Sequence, residues 1–408
     1  MEALTLAILI DRWNWATFAP GSGVPSESPI AGTGDLPPVN LVHARVQDRR
    51  TRFLRMLLHI GTSKAGSTAL QDSLLLSRDV LLKHGVLYPT NADGIKFNNH
   101  RLLLQPLLKF STLPTHVRRH VDGPEQLAAV YADFVASVRE QIRRSAPACL
   151  IFSSENLFRS YPADRQTRFR SELDGFGVGS VDVVVYIRRP SARYLSSLQQ
   201  GLKTRSTLKV PGMPEYSRPL ASYADIFGQE SLHPRLMDRS KLSGGSITID
   251  FAENFLAEHG VAPEDLVPPQ RTNDSVSAAS MVLLDRFRQE AAAGAGFKLR
   301  ELRRALLRIE LGLSLSKPRL KPEIADMIDY SSTEPLWLRD TWGLEFPDFD
   351  YARLEVGRME NMQAIDTIDA LIESPSNDDF AAIAEKLGGK FPNTPVTNWV
   401  TNMVREAV

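Results

Sequence analysis

The chain has 408 residues, with 48 basic and 48 acidic side chains and a formal net charge of zero, so it is long enough for one large domain or two. The balanced charge excludes a global field for nucleic acid or an acidic membrane and leaves room only for a local basic cleft. One cysteine, Cys149, excludes an internal disulfide; no Cys/His cluster has zinc-ligand spacing, and no run approaches the roughly 18 apolar residues of a membrane span.

The start, Met1 to Ile10, is mildly hydrophobic, but Glu2 stands where a basic region would be and Asp11-Arg12 cut the apolar stretch short. A secretory signal is therefore not expected, and a cytoplasmic location is the default. Pro, Gly and Ser crowd the stretch from Pro20 to Pro38, so residues 1–50 read as a poorly ordered leader, with the folded part starting near Phe53.

Met56-Leu57-Leu58-His59-Ile60 reads as a buried strand. Gly61-Thr62-Ser63-Lys64-Ala65-Gly66-Ser67-Thr68 follows, and Leu70, Leu74, Leu81 and Leu82 then fall at helical spacing. Strand, glycine-bearing loop and helix are the context of a phosphate-binding loop. Glycine allows close backbone approach to an anion, and a helix N-terminus offers unpaired N–H groups. The nucleoside-triphosphatase template G-x-x-x-x-G-K-[ST] fits Gly61, Gly66 and Thr68, but Ser67 occupies its lysine position and the lysine lies earlier, at Lys64.

Leu127, Val130, Phe134, Val138 and Ile142 predict an amphipathic helix ending in Arg143-Arg144. Ala148 to Phe152 predicts a short strand in which Cys149 is a buried thiol. Val181 to Tyr186 predicts another, and Pro190 suits the first turn of the helix carrying Leu195, Leu198 and Leu202. Ser246 to Phe251 reads as a further strand. Ala278 to Leu313 is expected to be mainly helical with a break at Ala293-Gly294-Ala295-Gly296, and residues 351–408 to be accessory helices. Alternating strands and helices predict an α/β fold, a three-layer sandwich around a mostly parallel sheet, over residues 51–350. Ligands of such sheets bind beyond the carboxyl ends of the strands, where Lys64, Glu155 and Arg188 are all expected. Asn273-Asp274-Ser275 is a glycosylation sequon by letter only.

The displaced lysine resembles the 5′-phosphosulfate loop of sulfotransferases that use 3′-phosphoadenosine 5′-phosphosulfate (PAPS). A second motif agrees: Arg188 ends a strand and Ser196 follows eight residues later, which is similar to the family's 3′-phosphate site. A guanidinium fork and a hydroxyl can together hold a terminal phosphate. Arg189 is the alternative ligand if the helix begins one residue later, and Arg193 reads as a solvated or acceptor-side residue. Leu336 to Asp348 resembles the end of bacterial carbohydrate-sulfotransferase-like domains. Ala65 departs from the threonine or serine common before the glycine.

The resemblance implies a P-loop fold, PAPS as sulfuryl donor without a metal, and an acceptor hydroxyl on a carbohydrate or glycolipid. The backbone N–H groups of Ala65, Gly66, Ser67 and Thr68 would cradle the 5′-phosphate, and Lys64 would neutralise charge on the leaving oxygen. Glu155 is the first candidate for the base, because related enzymes carry a histidine or glutamate at such a strand end. Its plainer reading is a helix cap or an ion pair with Arg159. His100, in an Asn/His-rich stretch that the resemblance places on the acceptor side, is the rival. Two other functions stay open. One is a P-loop kinase, for which Asp250 is the one weak magnesium candidate, and the other is a nucleotide-binding protein without turnover.

Overall fold

The computed structural model describes residues 53–407 apart from 63, 91–99, 114–120, 205–214, 270–275, 293–298, 311, 356–364 and 366. The leader, Phe97 to Asn99, the Asn273 sequon and the break at 293–296 lie outside the described residues. Residues 51–408 form one compact unit.

Five strands make a single sheet in the order β2-β3-β1-β4-β5, parallel throughout. They are β1 (Leu54–His59), β2 (Val86–Leu87), β3 (Cys149–Ser153), β4 (Val178–Ile187) and β5 (Leu232–Leu236). Successive side chains of a strand face opposite sides. Thus Met56, Leu58, Leu150, Phe152, Val183 and Val185 enter one core, whereas Leu57, Cys149, Ile151, Val184 and Tyr186 enter another. Burial pushes the Cys149 thiol up to about 12.

Helices cover both faces. Against the first core lie α3 (Pro124–Ser145), α4 (Ala163–Asp174) and α6 (Ser217–Phe227), which contribute Phe134, Phe169 and Tyr223. Against the second lie α1 (Ser67–Leu76), α2 (Arg78–Lys83) and α7 (Ile247–Phe251). A third core is built mainly by helices. Leu198 and Leu202 of α5 (Pro190–Thr204) pack there with α8 (Ala278–Ala292), α9 (Leu299–Glu310) and α10 (Pro322–Asp329). The same core takes in α12 (Ile368–Leu371), α13 (Asn377–Lys390) and α14 (Pro395–Ala407), so the last helices share a core with the helix that follows β4. The remaining helix, α11 (Glu334–Trp342), adds Leu338 to the first core. No helix of the described residues is long and apolar enough to cross a membrane.

Ser246 to Phe251 is not a strand. Its period-two pattern competes with Ile247, Phe251 and Phe255 at four-residue spacing, and burial of that stripe in the second core wins. A π-helical turn, Ala252–Leu256, continues the helix. The edge strand is instead β5, which carries Pro234; proline lacks a ladder donor and is tolerated there because only β4 pairs with it.

Candidate active site

The chain leaves β1 under tight constraint. Ile60 N–H still donates to Val184 O at 3.0 Å, and Thr62 Oγ1 donates to Tyr186 O at 2.8 Å, so the loop is tied to β4. A Cβ at Gly61 would lie 2.5 Å from Ser67 Oγ. Gly66, at φ 78°, caps α1, and a Cβ there would meet Met237 Cε at 2.9 Å. Only glycine fits this close, left-handed position. No side chain caps α1, and its first turn carries no acidic residue, so the N–H groups of Ser67 and Thr68 have no intrahelical partner. Ser67 Oγ is buried and has no hydrogen-bond partner. The Ala65 N–H is engaged differently from expectation: it donates to Thr62 O at 3.2 Å, and the residue is fully buried.

Lys64 also has a left-handed backbone, at φ 69°. Its Nζ donates to Gln200 Oε1 at 2.9 Å, and its carbonyl accepts from Arg188 Nη1 at 3.0 Å. Burial lowers the lysine pKa from its ordinary value; the Glu155 carboxylate opposes this and the Arg188 charge adds to it. Burial lowers the Arg188 pKa as well, against the pull of Asp238.

Lys64, Gly66, Ser67, Thr68, Glu155, Arg188 and Ser196 all line one cleft of about 1100 Å³ beyond the carboxyl edge of the sheet. The sheet topology explains the convergence. β1 and β4 are neighbours, and the helices that follow them, α1 and α5, pack in different cores, so a crevice opens between them.

The two adjacent arginines divide. Arg189 Nε donates to Asp329 Oδ2 at 2.6 Å, its Nη1 donates to Pro347 O at 3.2 Å, and its guanidinium lies 5.3 Å from the Phe349 ring centroid. Asp329 also accepts from Ser191 N and Oγ, both at 2.8 Å, and so caps α5. Arg189 is therefore structural, while Arg188 faces the cleft. Arg193 lies over the Tyr216 ring, 5.9 Å from its centroid.

The two candidate bases separate as well. Glu155 opens a 3₁₀ turn directly after β3, and Ser154 N–H donates to His59 O at 2.9 Å, which holds that turn beside the loop. His100 is buried away from the cleft. Its Nδ1 accepts from Ser153 N–H at 3.0 Å and its Nε2–H donates to Pro89 O at 2.9 Å, so no ring lone pair is left for a substrate proton. Burial holds its pKa down at about 4. Asp250 is not at a strand end. It is fully buried in α7, where it accepts from Arg235 Nε and Nη2 at 2.6 and 2.7 Å and from Tyr186 Oη at 2.8 Å.

The cleft also holds residues that the sequence patterns did not single out. Gln200 lies one helical turn beyond Ser196, a spacing that could have revealed it. Arg239 follows β5, the strand disguised by Pro234. Leu307 and Glu310 come from α9, Leu313 and Leu315 from the chain just after it, and no local motif announces them.

Fold and cleft define an α/β protein with a parallel sheet and a cation-bearing crevice at its carboxyl edge. Comparison with family models, with characterised proteins and with solved structures finds no match.

Proposed function

We propose that the protein is a PAPS-dependent sulfotransferase acting on a hydroxyl acceptor. The observation that carries this reading is the hydrogen bond joining Arg188 to the backbone of Lys64, which brings the two cation-bearing segments together across one crevice. The cleft fits such a donor on four counts: the uncapped N-terminus of α1, the glycine at its start, the orphaned Ser67 hydroxyl beside it and a guanidinium directed into the cleft. When bound, PAPS supplies a sulfuryl group whose S–O bond to phosphate breaks as a new S–O bond forms to the acceptor oxygen.

The chain's own residues then have distinct tasks. The N–H groups of Ser67 and Thr68 and the Ser67 hydroxyl hold the 5′-phosphate. Arg188 and Ser196 hold the 3′-phosphate. The Lys64 ammonium balances the negative charge that stays on the departing phosphate oxygen, a preorganised contact of the kind that dominates charge-separating catalysis. Glu155 receives the acceptor proton, so the proton ends on its carboxylate. Engagement of Asp250 with Arg235 and Tyr186 weighs against the kinase alternative, which would recruit it to a metal.

Calorimetry with the full chain tests the reading. Adenosine 3′,5′-bisphosphate is expected to bind much more tightly than ATP with magnesium. The reverse order would favour a kinase, and nucleotide binding without sulfuryl transfer to any acceptor would favour a binding protein.

A further inference from the structure

Ligand pockets commonly enclose about 300–1,000 Å³. This cleft encloses about 1100 Å³, and the groups assigned to the nucleotide all come from its sheet-edge wall and the start of α5. Other lining residues come from α9 and the chain just after it. α9 buries Leu302, Ala305, Leu306 and Ile309 in the third core. Leu307 lies off that stripe, is 36% exposed, and faces the cleft together with Leu313 and Leu315. Leu195 of α5 extends the same lining.

An isolated surface leucine needs no explanation. Four leucines line this one concave site, two of them, Leu195 and Leu315, also packed against the third core, and they offer an alkyl chain apolar surface beside the polar groups that orient a ligand. The polar lining there is partly engaged already: Glu310 Oε1 accepts from Ser277 N and Oγ at 2.8 and 2.6 Å. Among the described residues that line the cleft there is no Phe, Tyr or Trp. A free sugar is commonly held by stacking on aromatic rings, and the described lining offers it no such ring.

We infer that the acceptor is an amphiphile whose hydroxyl-bearing headgroup reaches Glu155 and Lys64 while an alkyl chain lies along Leu195, Leu307, Leu313 and Leu315. The inference rests on the sulfotransferase reading, which assigns the other half of the cleft to the nucleotide. It selects a glycolipid-like acceptor over a free carbohydrate.

The test is a two-stage titration of the full chain. Adenosine 3′,5′-bisphosphate is titrated first; its failure to bind would overturn the donor assignment, whatever the second stage gives. The nucleotide-loaded protein is then titrated with methyl, hexyl, octyl and decyl β-D-glucoside below their micelle concentrations. Each methylene removed from water is expected to tighten binding roughly three- to fourfold. Leu307→Ser and Leu313→Ser are expected to flatten that dependence without weakening the nucleotide titration, which serves as the folding control. Affinity independent of chain length, or absence of binding at every length, overturns the inference. So does a chain-length dependence that survives both substitutions, since the alkyl chain then binds elsewhere.

Discussion

Arg188 Nη1 donates to the carbonyl oxygen of Lys64 across 3.0 Å, linking residues that are 124 positions apart in sequence. The bond makes the edge of β4 a support for the loop after β1. Loss of the guanidinium is therefore expected to act twice, by removing the proposed phosphate ligand and by loosening the lysine.

Arg188→Gln is expected to weaken adenosine 3′,5′-bisphosphate by roughly 10- to 150-fold, the equivalent of a charge-assisted contact of about 1.5–3 kcal/mol. Binding of 5′-AMP should change much less. Arg189→Gln is the contrast. It leaves the buried Asp329 carboxylate without its ion pair, a change that costs about 3–5 kcal/mol in comparable sites. Its expected signature is a large drop in unfolding midpoint with the preference for a 3′-phosphate retained, read by urea denaturation and calorimetry side by side.

Lys64→Ala should reduce turnover by about 10²–10³ while nucleotide affinity changes less. Burial lowers the lysine pKa, so the alkaline fall of the rate–pH profile is expected below the ordinary lysine range, and Lys64→Arg should remove it. An unchanged alkaline limb in the arginine variant would assign that limb to another group.

Ser67→Ala offers a test in which stability and function part. A buried hydroxyl without a partner costs about 1–3 kcal/mol. Removing it should raise the melting temperature of the free protein and weaken the nucleotide. A lower melting temperature would mean that the hydroxyl already has a partner, such as a bound water, in the free state.

Glu155→Gln keeps the shape and abolishes the proton acceptor. Sulfuryl transfer should fall by about 10²–10⁴ with nucleotide binding intact. His100→Ala should behave differently, leaving Ser153 N–H and Pro89 O unpaired in the core and lowering stability. Sulfuryl transfer by the folded fraction should stay near the unsubstituted rate. A dead but stable His100→Ala protein would return the role of base to the histidine.

Acid should destabilise the fold through its buried histidines. Burial holds His59 at about 3 and His100 at about 4, against 6.5 for a free histidine. Below 6.5 the unfolded chain binds protons that the folded chain refuses. Stability is therefore complete above that value and declines as pH falls toward 4, by up to about 1.4 kcal/mol per pH unit for each histidine. Urea midpoints at pH 7.5 and pH 5 measure the decline, and equal midpoints would contradict it.

Much of the sheet was legible from residue types alone. β1, β3 and β4 are covered on both faces, so they read as nearly continuous apolar runs. Gly66 and Pro190 marked the helix starts for simple steric reasons. Other features depended on partners far away in sequence. Pro234 concealed β5, and Ile247 to Phe251 alternated like a strand although their four-residue spacing fitted the core. The division between Arg188 and Arg189 required Asp329, 140 residues beyond the second arginine. His100 looked free until Ser153 N–H and Pro89 O claimed its two nitrogens. The leucine wall has no sequence signature, because its members are united only by the cleft.

That cleft joins the segments that follow β1 and β4 to residues carried by α9 and the chain after it. Leu307 and Leu313 lie outside the third core, so substitutions there are expected to reshape what enters from that side without disturbing the register of β1 and β4. On the proposed reading, selection or an engineer could thus exchange one acceptor for another at Leu307 and Leu313 while Lys64, Glu155 and Arg188 stay in place.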